Sequence, residues 1–174
     1  MFARIGYLGA RLAGGLLGLV FLLAPPQAAA QVTLAQVEAQ ADRYHEQAMA
    51  MATSYRLSDL PRIVEVHAQS ANLRHWKDPD AFTCLRLQGR LLHEVGKPAE
   101  ARRYLEDAAG VALANGDEAS AAEAFVEAAF AAEAAGNHAG SQVLLRKAYN
   151  LSQSSGVTAQ ERRLIQQRIR FPQR

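Results

Sequence analysis

Between residues 34 and 171, apolar side chains recur at intervals of three and four, and no alternating run of β-branched residues interrupts them. The pattern predicts helices separated by short breaks. Thr33 and Gln36 match a capping box, which opens a first helix near residue 34 that runs to about residue 55. A second helix follows Ser58-Asp59, tolerates Pro61 in its first turn, and ends near Arg74. The polar stretch HWKDPD, residues 75–80, is a break. A third helix covers about 80–95 and stops at Gly96, and Pro98 opens a fourth that runs to about Ala114. Asn115-Gly116-Asp117 ends the fourth and caps a fifth, which continues to Gly136. A sixth spans about 139–153, and Thr158 with Glu161 forms a second capping box for a last helix ending near Ile169.

Seven helices with short loops suggest hairpins in series, so internal recurrence is the next test. Gly96 and Gly136 lie 40 residues apart, each between two helices. Gly89 and Ala129 precede them by seven residues, and Leu85 and Phe125 come four residues earlier still. Beyond the loops, Ala101 and Ser141, then Leu105 and Leu145, then Ala108 and Ala148 fall at matching offsets. Small and large residues thus recur in one order. Gly89 would otherwise be a defect, because glycine inside a helix costs about 1 kcal/mol relative to alanine. Its place in the recurrence marks a close helix-helix approach.

This order of large, small and large residues on one helix, then small, large and small on the next, resembles the tetratricopeptide repeat (TPR). One set is Leu85, Gly89, Leu92 with Ala101, Leu105, Ala108, and the next is Phe125, Ala129, Ala132 with Ser141, Leu145, Ala148. The sequence departs from the family where Gln88 and Ala128 replace bulky apolar residues, where the period is 40 rather than 34, and where no proline closes each repeat. A degenerate earlier copy reads Tyr44, Ala48, Met51 and, shifted by one residue, Leu60, Val64, His67. The resemblance implies an all-α, right-handed solenoid of about three TPR-like hairpins over residues 31–174, closed by a C-terminal capping helix. In that cap, Leu164, Ile165 and Ile169 are expected to pack inward, with Arg162, Arg163, Arg168 and Arg170 in water.

A solenoid of this kind presents a wall made by the first helix of each pair. On the third predicted helix the face left over by two apolar rows carries Arg86, Arg90 and His93. The corresponding face of the fifth carries Glu123, Val126, Phe130 and Glu133, and that of the first carries approximately Asp42, His45 and Met49. Arg86 and Arg90 would clamp a carboxylate on a partner, and Phe130 with Val126 would be an apolar anchor. The alternative is that the cations pair with Glu123 and Glu133 on the neighbouring helix, a solvated face of small energetic value.

The chain's ends alter the charge picture. Arg4 and Arg11, the apolar run 12–24, Pro25-Pro26 and the small residues Ala28, Ala29 and Ala30 have the layout of a Sec-type signal peptide covering residues 1–30. An uncleaved anchor is the alternative, but the run is short for a span of about 20 residues. The expectation is an exported protein, periplasmic or secreted, with no stable membrane span after cleavage. Without Arg4 and Arg11 the 19 cationic residues fall to 17, equal to the 17 acidic ones, so nothing global argues for nucleic acid. Locally, residues 94–133 hold nine acidic and three basic side chains, and 141–174 hold seven basic and one acidic.

Chemical motifs are missing from the linear sequence. Cys84 is the single cysteine, so no intrachain disulfide forms, and it reads as a small buried hydrophobe in a helix. The five histidines (45, 67, 75, 93 and 138) show no metal-ligand spacing, and neither a nucleophile elbow nor a phosphate loop occurs. No metal and no cofactor is therefore expected. Trp76, in the polar break, reads as a residue closing the gap between hairpins, with a partner contact as the alternative. The sequence points to a non-enzymatic protein-interaction module binding a peptide or helix, with self-association possible. The alternative is an enzyme or small-ligand binder whose pocket gathers His45, Arg86, His93 and Glu133.

Overall fold

The computed structural model describes residues 32–53 and 56–169, all within the unit Val32–Arg174. The predicted signal peptide and Arg170 lie outside the described residues. Among the described residues the protein is all-α, with seven helices and no strand. They are α1 (Leu34–Thr53), α2 (Leu60–Leu73), α3 (Ala81–Glu94), α4 (Pro98–Ala114), α5 (Glu118–Ala134), α6 (His138–Ser152) and α7 (Ala159–Arg168), with a 3-10 turn at Leu57–Asp59 before α2. None is long and apolar enough to cross a membrane.

The helix ends follow local chemistry. Thr33 and Gln36 exchange hydrogen bonds at 2.8 and 3.3 Å, and Thr158 and Glu161 do the same at 2.8 and 3.3 Å. The turns after α3, α4 and α5 share one device. Gly96, Gly116 and Gly136 have φ of 76°, 75° and 76°, and the residue after each donates back to the carbonyl of Leu92, Ala112 or Ala132 at 2.8–2.9 Å. One left-handed turn thus recurs every 20 residues, and it fixes the same change of direction three times.

Each helix packs on the next, and contacts between alternate helices join α3 to α5 and α5 to α7. The core runs from Val64 in α2 to Ile169 after α7 and is built largely of alanine, with Leu85, Leu92, Leu105, Phe125, Leu144, Leu145 and Ile165 as its large members. Alanine lets helices approach closely while losing no side-chain entropy. Gly89 is the closest approach: a Cβ there would stand 2.5 Å from Leu105 Cγ.

Three expectations about packing need correction. Leu164 is exposed, because α7 buries the row Ile165–Ile169 and Leu164 lies about 100° around the helix from Ile165. Arg162 is not a free surface cation. It donates to the carbonyls of Ser152, Ser154 and Val157 at 2.9, 3.3 and 3.5 Å, tying the end of α6 and the loop that follows it to α7. Trp76 is half-exposed beside His75 and under Lys77, whose Nζ lies 4.9 Å from the ring, and so does not seal a gap between helices.

Candidate functional site

The face formed by α3, α5 and α7 carries most of the residues singled out in the sequence, sorted by the structure into two groups. Arg86 leaves α3 toward α5. Its Nε and Nη2 donate to both oxygens of Glu127 at 2.9 and 2.8 Å, and Nη2 also reaches Glu123 at 2.9 Å. Burial opposes ionisation of Glu127, but the paired bonds from Arg86, helped by Arg168 at 3.3 Å, hold its carboxyl below the usual range. For Arg86 the bond to Glu127 leads, and its pKa is raised. Arg86 is therefore committed to a helix-helix junction and is not free to clamp a partner.

Val126 likewise departs from expectation, being fully buried. The reason is the same for both. The 40-residue offset maps Arg86 onto Val126; the first position faces α5 from α3, and the second lies in a helix that α7 covers. These are junction positions, polar in one case and apolar in the other. Glu133 also lies elsewhere: it bonds His138 Nδ1 at 2.7 Å across the α5–α6 turn. Glu127, which sequence reasoning missed, stands four residues after Glu123 and three before Phe130, the same spacing as Arg86, Arg90 and His93. That shared spacing was the available signal.

The second group borders a cleft of about 200 Å³. Arg90, His93 and Glu94 of α3, Phe130 of α5 and Arg168 of α7 line it, above Leu105 and Glu127. Phe130 is 46% exposed, a large aromatic surface for a helix otherwise buried on nearly all sides. Arg90 is exposed and forms no ion pair among the described residues. The lining holds no hydroxyl, thiol or amine nucleophile. It offers an aromatic surface flanked by guanidinium groups. No family model, no curated protein and no solved structure matches the chain. The site must therefore be read from its own groups.

The four residues of the alternative pocket do not converge: Arg86 and Glu133 are paired as described, His93 lines the cleft, and His45 joins a different cluster. There, His45 of α1, His67 of α2 and Cys84 of α3 bring their ligand atoms within 4.8 Å of one another. Residues 22 and 17 positions apart leave no linear motif, which is why the sequence pointed to no metal site. His67 is fully buried, and burial first, then the neighbouring His45 and Arg74 charges, lower its pKa against the raising effect of Gln88. Beside this cluster, Arg74 bonds Asp78 at 2.6 Å and Asp42 at 2.8 Å.

Proposed function

We propose that the protein is an exported, non-enzymatic interaction module that binds a peptide or helical segment of another protein on its α3–α5–α7 face. In this reading α1–α2, α3–α4 and α5–α6 are TPR-like hairpins of a right-handed solenoid, and α7 is its cap. The contacts between alternate helices and the identical turns at Gly96 and Gly136 support it. Export rests on the signal-peptide layout of residues 1–30.

The observation that carries the binding reading is Phe130, half-exposed beside Arg90, His93 and Arg168. Aromatic and arginine side chains at the centre of a cleft dominate protein recognition. A partner segment would lay an apolar side chain on the phenyl ring and direct a carboxylate to Arg90 or Arg168. The test is affinity capture from the native envelope fraction with residues 31–174 as bait. Phe130→Ala combined with Arg90→Ala should lose the captured protein while far-ultraviolet circular dichroism stays unchanged. Equal capture by the variant would sink the assignment of this face.

A further inference from the structure

The cluster between α1, α2 and α3 is chemically unusual for a packed helical core. His45 Nδ1 lies 3.1 Å from His67 Nε2, and Cys84 Sγ lies 3.8 Å from that same nitrogen. The surroundings determine which lone pairs are available. Gln88 donates through Nε2 to the Val64 carbonyl at 3.3 Å, which turns its Oε1 toward His67 Nδ1 at 2.8 Å. An amide oxygen only accepts, so Nδ1 carries the proton and Nε2 presents its lone pair to His45 and Cys84. An imidazole anchored through its far N–H on an oxygen is the outer-shell arrangement of protein metal ligands. Ser70 Oγ, 3.3 Å from Cys84 Sγ, gives the sulfur a comparable partner.

The spacing fits a cation. Tetrahedral bonds of about 2.1 Å to nitrogen and about 2.3 Å to sulfur place two nitrogens about 3.4 Å apart and nitrogen and sulfur about 3.6 Å apart. The two edges that meet at His67, 3.1 and 3.8 Å, lie within a few tenths of these values, and the third, from His45 to Cys84, is within 4.8 Å, so the two side chains would draw together around an ion. Hydrogen bonds pair His45 with His67 and Cys84 with Ser70, and a cation would engage all three ligand groups at once. Two imidazoles and one thiolate select a thiophilic closed-shell ion over magnesium or calcium, which require convergent oxygens. The charge of Arg74 nearby is matched by Asp78 and Asp42.

We propose that His45, His67 and Cys84 form a three-ligand site for a thiophilic closed-shell cation, zinc(II) or copper(I), with its remaining side open to a cleft lined by Asp42, Arg74, Asp80 and Thr83. The site is separate from the α3–α5–α7 face and does not depend on what that face binds.

The experiment titrates reduced, metal-free protein with zinc(II), and separately with copper(I), against a chromophoric chelator. Cobalt(II) serves as the spectroscopic probe. One equivalent of zinc or copper(I) should bind, and cobalt should show a thiolate-to-metal charge-transfer band. Cys84→Ser should abolish that band. His45→Ala, at a half-buried position, should weaken affinity at least tenfold. His138→Ala, at the start of α6 where the ring bonds Glu133 and is not a member of the cluster, should change neither. Circular dichroism of each variant separates lost ligation from lost folding. Absence of stoichiometric binding for both ions, or binding that survives both Cys84→Ser and His45→Ala, would overturn the proposal and leave a buried hydrogen-bonded network.

Discussion

Replacing Gly89 by alanine sets two known effects against each other. Helix propensity favours alanine by about 1 kcal/mol at an interior position. Packing opposes it. The new methyl carbon would stand 2.5 Å from Leu105 Cγ, 2.9 Å from Leu105 Cδ2 and 3.1 Å from the Ala101 carbonyl oxygen. Carbon atoms rest about 3.5–4.0 Å apart, so α3 and α4 must separate locally by about 1 Å or Leu105 must move. Leu105 is 2% exposed, and the clashing atom is its branch point. Rotation about its terminal bonds does not clear the contact. Overpacking costs about 1–3 kcal/mol, and a contact about 1 Å inside the normal carbon separation belongs to the upper half of that range, which leaves a net loss of about 1–2 kcal/mol.

Urea unfolding followed by circular dichroism measures this directly, and for a domain of this size the loss corresponds to about 4 °C in melting temperature. Two further variants make the reasoning specific. Ala129→Gly, at the matching place in α5, should also destabilise, by about 1–2 kcal/mol, because it removes a buried methyl and helix propensity together. In a Leu105→Ala background the penalty of alanine at 89 should vanish, giving a coupling of at least about 1 kcal/mol. A Gly89→Ala protein as stable as the parent, with an unchanged denaturant slope, would refute the close-approach explanation.

Two other outcomes follow from the charged groups. Arg86→Ala leaves Glu127, 13% exposed, with Arg168 alone, and should lower unfolding free energy by about 1–2 kcal/mol in urea; Arg90→Ala should stay within about 0.5 kcal/mol. His67 binds its proton less readily folded than unfolded, since burial first and then His45 and Arg74 oppose the charge. The unfolded chain therefore takes up the proton below about pH 6.5, and stability should fall as pH drops from about 7.5 to about 5.5. A flat melting temperature across that window would contradict the assignment. Glu127, held low by Arg86, adds a loss that begins only below its unfolded value near 4.5.

Helix boundaries were readable because punctuation is local. Glycine at a left-handed turn, proline in a first turn and a threonine cap act within four residues, and each predicted break coincides with an observed one. Facing was readable only where composition has contrast. In α3 arginines and leucines divide the helix into sides, and Arg90 and His93 are exposed as expected. In α5 alanine predominates on every side, and alanine suits a close junction as well as an open surface. The 40-residue offset then carried Arg86 onto Val126, although that position is fully buried in the core. Glu127 escaped notice because an isolated glutamate on an alanine-rich helix reads as solubility. Its role appears only with the guanidinium groups that α3 and α7 bring to it.

The proposed cation site bears on why the first hairpin stays attached. Helix α1 buries only Ala41 and Ala48, neither of which belongs to the main apolar core. Two alanines supply little of the area that stabilises the other junctions. Polar bridges take their place: His45 to His67, and Asp42 to Arg74, whose other carboxylate partner is Asp78 in the loop before α3. Hydrogen bonds of this kind are worth about 1 kcal/mol each, because water competes for the same groups. A cation held by one side chain from each of α1, α2 and α3 binds the folded arrangement and not the open one. Its stabilisation grows with the logarithm of free ion concentration over Kd, about 2.7 kcal/mol at a hundredfold excess. The three ligands thus tie α1, whose fully buried residues are two alanines, to α2 and α3. Added zinc should raise protection of α1 amides from hydrogen exchange more than that of α5 amides, whose burial already secures them.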